Sequence, residues 1–476
     1  MADPRTRRRP GGRPPASRAT VDAARLAAYD VCRAVRVDDA YTNLALAHVL
    51  REHALVGRDA AFATELVSGT LRRRGTYDAV LAACVDRPLA KVESKVLDVL
   101  RLGTHQLLSM RVPAHAAIST SVDLARAKVG AGAAGFVNAV LRRVADHDLS
   151  GWVRRVAPDP VGDPLGFAVV AFSHPRWIVS ELSSALAATG SAGQLDELLA
   201  ADNEPPHVVL VARPGRAVRD ELPGEPTPFS PYGVVLGAGD PAAVPAVAEG
   251  RAGVQDEGSQ LVALALAGAP VEGRDDRWLD VCAGPGGKAA LLAGLADAAG
   301  ARLVASELQP HRAGLVARTL AGAPGVAGVL TADGTRPPWR PAGFDRVLVD
   351  APCTGLGALR RRPESRWRRV VTDLETLAPL QRALLETALD SVRPGGVVCY
   401  ATCSPVLAET RDVVQGVLDD RDDVRLEDAR AVLSQVPDCD GPLPGTVQLW
   451  PHRHRTDAMF IALLRRVASP PRRGGS

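Results

Sequence analysis

Two cysteines stand directly after short apolar segments, in surroundings that suit catalytic thiols. Cys353 lies in DAPCTG (350–355), after FDRVLVD, and Cys403 lies in ATCSP (401–405), after GGVVCYAT. Both apolar segments are predicted to be buried parallel strands. Ligands of an open α/β sheet bind at the carboxyl ends of its strands. The sequence therefore predicts nucleophilic chemistry by two thiols at one edge of a sheet.

A third segment, RWLDVCAGPGGKAA (277–290), predicts a strand, a glycine-rich turn and the start of a helix. Glycine lets a backbone approach a ligand closely, and the N–H groups that begin a helix suit a carboxylate. The spacing is neither that of a P-loop nor GxGxxG. Glu307, Asp333 and Asp350 end the next three predicted strands of this region. Such acids can bind ribose hydroxyls and an adenine amino group, so the pattern predicts a ligand that contains adenosine.

The elements that must position these groups alternate between strand and helix from residue 252 onward. This alternation predicts a mostly parallel sheet with helices on both faces, an α/β fold. The first part of the chain is instead predicted to be all-α. Thr20 can cap its first helix, which runs to about Val37. A buried helical face is predicted from the recurrence of Val96, Leu100, Gly103, Leu107 and Met110.

Composition limits the number of domains and the kinds of partner that we expect. The chain has 476 residues, long enough for two or three domains, and its 57 basic and 54 acidic residues leave it nearly neutral. Both ends are arginine-rich with proline and glycine, which predicts disordered basic arms. The 7 cysteines are odd in number and widely scattered, which predicts free thiols and a cytoplasmic location. They include no CxxC pair, so we expect no metal site. No apolar stretch reaches membrane-spanning length, so we expect no membrane partner.

We predict six segments along the chain. They are a disordered basic arm (1–19), a helical domain (20–147), a linker (148–172), a small α+β module (173–251), the α/β domain (252–467) and a disordered tail (468–476). RNA binding by the helical domain and by the small module is an expectation that only a family resemblance implies.

Several motifs resemble those of S-adenosylmethionine-dependent RNA cytosine-5 methyltransferases. In chain order they are VQDEGSQLVA (254–263), DVCAGPGGK, ASEL, TADGT, DAPCTGLGALRRRPESRWRR and YATCSP. The resemblance covers about residues 170–467, and its independent motifs occur in the expected order. It implies a Rossmann-like, seven-stranded class I methyltransferase fold. Gly284 departs from the alanine common in the family, and Glu307 departs from aspartate.

The N-terminal region, which includes GFVNAVLRR (135–143), resembles the helical NusB-like RNA-binding domain. This fusion is typical of the bacterial 16S ribosomal RNA (cytosine-5)-methyltransferases of the small-subunit methyltransferase B (Sun/Fmu) family. The resemblance implies an enzyme that produces 5-methylcytosine in 16S ribosomal RNA, as a monomer and before the 30S subunit is fully assembled. A transfer-RNA cytosine-5 methyltransferase and a non-catalytic RNA-binding assembly factor are the alternatives.

Carbon 5 of cytosine is a weak nucleophile, and a thiolate that adds to carbon 6 activates it. The resemblance implies that Cys403 is this thiol, that Cys353 assists proton removal and product release, and that Asp350 binds the cytosine edge. It implies that Pro352 shapes the turn at the base pocket. The implied S-adenosylmethionine contacts are Cys282, Ala283, Gly284, Pro285, Gly286, Gly287, Lys288, Glu307, Asp333 and Asp350.

Two arginine clusters are candidates for RNA contact, because phosphates attract them. The segment 359–369 carries six arginines around Trp367, beside the predicted active-site loop. In the first predicted helix, Arg25, Tyr29, Arg33 and Arg36 fall on one face. That face either binds RNA or is solvated surface.

Overall fold

The computed structural model describes residues 21–237 and 239–468. The predicted basic arm, Thr20 and nearly all of the predicted tail lie outside these residues. The chain divides into two compact units. The first comprises the chain up to Ala40, Leu44–Thr70 and Val80–Trp152, and the second comprises Tyr41–Asn43, Leu71–Ala79 and the chain from Val153 onward.

The N-terminal region consists of helices, which confirms the predicted all-α domain. They are α1 (Ala23–Val37), α2 (Thr42–Glu52), α3 (Gly57–Arg72), α4 (Arg74–Cys84), α5 (Ser94–Leu108), α6 (Ala114–Lys128), α7 (Ala131–Val144) and α8 (Leu149–Val156). The N-cap of α1 is Asp22, not Thr20, and its carboxylate accepts a hydrogen bond from the Ala24 N–H. Asp22 satisfies one of the N–H groups that every helix start leaves without a partner.

The predicted buried face of α5 is present over most of its length. Val96, Leu100 and Gly103 are buried, whereas Leu107 is half-buried and Met110 lies beyond the helix end. A Cβ atom at Gly103 would lie 2.6 Å from Cδ1 of Leu141 in α7. Glycine at this position therefore lets α5 and α7 pack closely.

The predicted arginine face of α1 is divided between buried and exposed side chains. Tyr29 is buried, Arg25 is half-buried and donates a hydrogen bond to Gln106 Oε1, and Arg36 forms an ion pair of 2.9 Å with Asp98. Arg33 and Arg36 are exposed. The face is therefore partly packed against α5 and partly open to solvent.

The segment predicted as a linker, residues 148–172, contains α8 and a further helix, α9 (Pro164–Ala171). Asp163 caps α9 by accepting from the Gly166 N–H, and Pro164 occupies the first helical position, where a missing N–H costs nothing. The small module that follows has α10 (Arg176–Ala188), α11 (Leu195–Ala201), β1 (Val208–Ala212), β2 (Glu225–Pro226), β3 (Gly233–Leu236), α12 (Pro245–Ala248) and β4 (Ala252–Val254). Its antiparallel sheet has the order β2-β3-β1-β4.

The main sheet confirms the predicted α/β methyltransferase-type fold. Its strands are β5 (Arg277–Asp280), β6 (Arg302–Glu307), β7 (Val326–Thr331), β8 (Phe344–Asp350), β9 (Val392–Thr402), β10 (Val424–Glu427), β11 (Val447–Gln448) and β12 (Phe460–Arg466). The order is β10-β12-β9-β8-β5-β6-β7, and the short β11 pairs with β12. Strands β9, β8, β5, β6 and β7 are parallel, whereas β12 and β10 are antiparallel to their neighbours.

Helices cover both faces of this sheet. The helices of this part of the chain are α13 (Glu257–Gly268), α14 (Gly287–Ala298), α15 (Pro310–Leu320), α16 (Ser365–Arg368), α17 (Asp373–Ser391), α18 (Arg411–Asp420), α19 (Ala429–Val432) and α20 (Pro451–His454). Helices α13 to α15 form one apolar core with the sheet, and α17 and α18 form another. Strands β8 and β9 are buried almost throughout, which explains the apolar runs VLV in β8 and VVCYA in β9.

Candidate functional site

The two predicted catalytic thiols meet at the carboxyl ends of neighbouring strands. In the parallel register of β8 and β9, Asp350 lies opposite Ala401. The loops that follow each strand therefore begin side by side. They bring the sulfur atoms of Cys353 and Cys403 to 3.4 Å from each other, and both residues are half-buried rather than enclosed in the core.

The surroundings make the two thiols chemically different. The hydrogen bond from Cys353 is the main cause that lowers the pKa of Cys403. Burial and Asp350 oppose it, and Lys288 and Arg362 assist it. The same hydrogen bond, together with burial, raises the pKa of Cys353 well above the usual range. The surroundings therefore favour ionisation of Cys403 over that of Cys353, with Cys353 as the hydrogen-bond donor to the thiolate.

Lys288 connects the glycine turn to the thiols. Its ammonium group lies 2.9 Å from Asp350 Oδ2 and 3.2 Å from Ser259 Oγ. Burial lowers the pKa of Lys288, but the Asp350 carboxylate outweighs this effect and the pKa is raised overall. Lys288 is therefore charged at neutral pH, and its positive charge favours the Cys403 thiolate.

The glycine turn is tied to the acid that ends β6. The Gly284 N–H donates to Glu307 Oε2 over 3.1 Å, and Arg312 donates to the Gly284 carbonyl over 2.7 Å. Gly286 has a φ of +112° and caps α14, a backbone conformation that favours glycine. The turn therefore presents the N-terminus of α14 beside the ends of β5 and β6.

A buried carboxylate lies beneath this turn. Asp280, the last residue of β5, is fully buried and accepts a hydrogen bond of 3.3 Å from the Cys282 N–H. Its Oδ2 has no hydrogen-bond partner among the described residues. Burial, together with the charge of Asp350, raises the pKa of Asp280 to about 8. Sequence reasoning placed Asp280 only as the end of a strand and assigned it no part in the site.

Asp333 lies beside the strand end that carries Glu307, since the N–H of Ala332 donates to the Glu307 carbonyl over 3.1 Å. It lies two residues beyond the end of β7, where its side chain accepts from the N–H of Thr335 over 2.9 Å and from its hydroxyl over 2.7 Å. These bonds hold the pKa of Asp333 below its usual range. Within the described residues, no hydrogen bond connects Asp333 to the turn, to Glu307 or to Asp350.

Sequence reasoning missed the polar side chains that hold the two thiol loops. Gln381 in α17 donates to the Pro352 carbonyl over 2.9 Å, and the hydroxyl groups of Thr354 and Ser404 lie 3.1 Å apart. Glu409, six residues after Cys403, accepts from the Thr354 N–H over 2.7 Å. The hydroxyl residues directly after each cysteine were the available signal, whereas nothing in the local pattern indicated Gln381 or Glu409.

Four arginines of the 359–369 segment are bound within the protein, so the predicted arginine cluster is not one RNA-binding surface. Arg360 and Arg361 form ion pairs with Asp457, and Arg369 donates to the Thr354 carbonyl. Arg366 is fully buried and donates to Asn203 Oδ1 and to the carbonyls of Arg72, Ser173 and Asp202. Arg362 is exposed and close enough to lower the pKa of Cys403. It remains a candidate for contact with a polyanion beside the thiols.

Among the described residues, no helix is long and apolar enough to cross a membrane. No group of three or more His, Cys, Asp or Glu side chains in this part of the chain could hold a metal ion.

Residues 265–465 match the family model of the 16S rRNA methyltransferases described as RsmB/F, and residues 22–146 match that of the NusB family. A putative methyltransferase of Mycobacterium tuberculosis is 52% identical, and the match covers 94% of this chain and 98% of that protein. A probable ribosomal RNA small subunit methyltransferase B of Synechocystis is 32% identical, over 94% of this chain and all (100%) of its own length. The ribosomal RNA small subunit methyltransferase B of Pseudomonas syringae is 31% identical, over 94% and 98%.

Solved structures share the fold. The crystal structure of PH0851 superposes with a TM-score of 0.75 at 21% identity and covers 94% of this chain and 99% of its own. The structure of NSun6 from Pyrococcus horikoshii, solved with SFG, gives a TM-score of 0.52 at 19% identity over 61% of this chain and 98% of its own.

Proposed function

Because the chain belongs to the RsmB/F family of 16S rRNA methyltransferases, we propose that it methylates carbon 5 of one cytosine in 16S rRNA through a covalent bond from Cys403 to carbon 6. The observation that carries this proposal is the pair of thiols. Their sulfur atoms lie 3.4 Å apart at adjacent strand ends, and of the two thiols only Cys403 has a lowered pKa. One thiol is therefore prepared to attack, and the other is prepared to exchange a proton.

The residues present fit S-adenosylmethionine as the methyl donor. The turn from Cys282 to Lys288 offers the N-terminus of α14, and the Asp280 oxygen without a partner lies beneath it. We propose that this turn, with Glu307, Asp333 and Asp350, holds the cofactor. When bound, S-adenosylmethionine supplies an electrophilic methyl group, which carbon 5 of the activated cytosine accepts.

The side chains divide the remaining steps between them. The Cys403 thiolate forms a bond to carbon 6, and electron density moves to carbon 5. Asp350 lies at the same strand edge, where it can accept a hydrogen bond from the exocyclic amino group of the cytosine, and from N3 once N3 is protonated. Once Cys403 is bonded to carbon 6, it no longer raises the pKa of Cys353, so Cys353 can release its proton to solvent. Cys353 then removes the proton from carbon 5, and the electron pair of the C6–S bond returns to Cys403.

The proposed substrate is tested by mapping 5-methylcytosine in RNA from cells that lack the protein. We expect one cytosine of 16S rRNA to lose its methyl group, and we expect the loss to be reversed by the native protein. A lost modification in transfer RNA with 16S rRNA unchanged would contradict the proposed substrate.

Gly286→Val is expected to abolish cofactor binding. The φ of +112° disfavours a branched residue, and a Cβ atom at this position would lie 2.8 Å from Thr319 Cβ. Isothermal titration calorimetry with S-adenosylmethionine measures the effect. Gly314→Ala is the control, because its Cβ would meet only Arg318, at 3.8 Å. Unchanged cofactor affinity in Gly286→Val would contradict the assignment of the turn.

Arg366→Met is expected to reduce stability, whereas Arg362→Met is expected to weaken RNA binding and leave stability nearly unchanged. Arg366→Met leaves buried carbonyl groups without donors and should cost about 3 kcal/mol of unfolding free energy. Arg362→Met removes an exposed side chain, so it should change stability by less than about 0.5 kcal/mol. It should instead weaken RNA binding and reduce the slope of log affinity against log salt concentration by about one. Denaturant unfolding and RNA titration at several salt concentrations measure both effects. A native salt dependence in Arg362→Met would contradict RNA contact at this residue.

A further inference from the structure

Glu409 is a carboxylate with 0% exposure in a short turn, Leu407–Glu409, that follows the Cys403 loop. Carboxylates are rarely so buried unless their oxygens are bonded. Three neutral donors reach this one. The Thr354 N–H and Gln381 Nε2 bond to Oε1 over 2.7 Å and 3.0 Å, and the Thr354 hydroxyl bonds to Oε2.

These bonds fix the chain on both sides of Cys353. Thr354 follows Cys353 and is bound to Glu409 through its N–H and its hydroxyl. Pro352 precedes Cys353, and its carbonyl accepts from Gln381, whose same amide nitrogen also donates to Glu409. The loop therefore has little freedom to move Cys353 towards or away from its partner sulfur.

The same carboxylate is connected to the loop of Cys403 through the Thr354 hydroxyl. A hydroxyl group has one hydrogen, and that of Thr354 is donated to Glu409. The hydrogen bond of 3.1 Å between Thr354 and Ser404 must therefore be donated by Ser404. In addition, the hydroxyl of Tyr400, in the strand that leads to Cys403, donates to the Glu409 carbonyl over 2.7 Å. Glu409 is thus bonded to segments next to both thiols.

We propose that Glu409 is a positioning residue that holds Cys353 and Cys403 at hydrogen-bonding distance from each other. This inference rests on the proposed function, because it assigns Glu409 a part in preparing the nucleophile of that reaction. Glu409 itself contacts neither sulfur. It acts through Thr354 and Ser404.

The two ways in which Glu409 could act on Cys403, by its charge or by positioning Cys353, predict opposite shifts in the pKa of Cys403 when Glu409 is removed. The charged groups that act on the Cys403 thiol are Asp350, Lys288 and Arg362, after the hydrogen bond from Cys353. If Glu409 acted by its negative charge, its removal would lower the pKa of Cys403. If it positions Cys353, its removal weakens the hydrogen bond to the thiolate and raises that pKa.

The test is the pH dependence of Cys403 alkylation by iodoacetamide in the full-length protein, read by mass spectrometry of the Cys403 peptide. Glu409→Ala should move the midpoint to a pH higher by about one unit. Glu409→Gln should stay near the native midpoint, because an amide can still accept from the Thr354 N–H and bond to its hydroxyl. Asp412→Asn removes an exposed charge three residues away and should leave the midpoint unchanged. A midpoint that is unchanged or lower in Glu409→Ala would overturn the proposal.

Turnover provides a second readout. Misplaced reacting groups cost about 100-fold in rate, so Glu409→Ala should lose about that much in kcat with little change in KM for RNA. Glu409→Gln should recover most of this loss. If Glu409→Ala does not fold, Thr354→Val serves instead, since it removes the hydroxyl link and keeps the N–H bond. A native midpoint and native kcat in Thr354→Val would then overturn the proposal.

The alkylation experiment uses neither RNA nor cofactor. A native protein without cytosine methylation would therefore contradict the proposed function and leave the alkylation result standing. A native protein that methylates cytosine, with no midpoint shift in Glu409→Ala, would contradict the role of Glu409 alone.

Discussion

Cys403→Ser is expected to lose methyl transfer by at least about 10⁴-fold, because the nucleophile of a covalent mechanism is removed. A serine hydroxyl ionises far less readily than a thiol, so neither Cys353 nor Lys288 can prepare it for attack on carbon 6. Incorporation of labelled methyl groups into 16S rRNA measures the loss. Denaturing electrophoresis should show no protein–RNA adduct.

The control for this variant is Cys439→Ser. Cys439 is a buried thiol whose sulfur donates to the Val436 carbonyl, a bond that a serine hydroxyl can replace. Cofactor affinity should be close to native in both variants, since neither sulfur is proposed to hold S-adenosylmethionine. Methyl transfer by Cys403→Ser within tenfold of the native rate would contradict its role as nucleophile.

Cys353→Ser is expected to accumulate the covalent intermediate. A serine hydroxyl still donates a hydrogen bond to the Cys403 thiolate, so attack and methyl transfer proceed. It is a poor base, however, and the proton on carbon 5 stays in place. Turnover should fall by about 10³-fold, within the range of lost acid–base catalysis. A protein–RNA species should persist through denaturing electrophoresis.

The double variant Cys353→Ser with Cys403→Ser provides the matched control, because it should form no adduct. An adduct that persists in Cys403→Ser and is missing in Cys353→Ser would show that the roles of the two thiols are reversed.

Much of the fold could be predicted because buried parallel strands contain apolar runs, as β8 and β9 do. Where a predicted helix boundary was wrong, tertiary contacts explain the difference. From the sequence, a helix that starts after Thr376 is predicted, because Pro379 then lies in its first turn, where a missing N–H does no harm. Helix α17 instead begins at Asp373 and contains Pro379 in its interior. The packing of Leu384 and Ala388 against the sheet offsets the hydrogen bond that proline removes.

The candidate site could be predicted where residues lie at strand ends, as Cys353, Cys403, Glu307 and Asp350 do. The contacts of Glu409 could not, because Thr354 and Gln381 lie 55 and 28 residues away in sequence. Arginines posed the same difficulty, since an arginine-rich segment has the same composition whether it faces solvent or buried acceptors.

The central claim is that Cys403 forms a bond to carbon 6 of a cytosine in 16S rRNA. The most direct test is mass spectrometry of the adduct that Cys353→Ser accumulates, after digestion with protease and nuclease. The proposed mechanism predicts a methylated cytidine attached to the peptide that contains Cys403. A nucleotide on any other residue, or a trapped species with no covalent nucleotide, would contradict it.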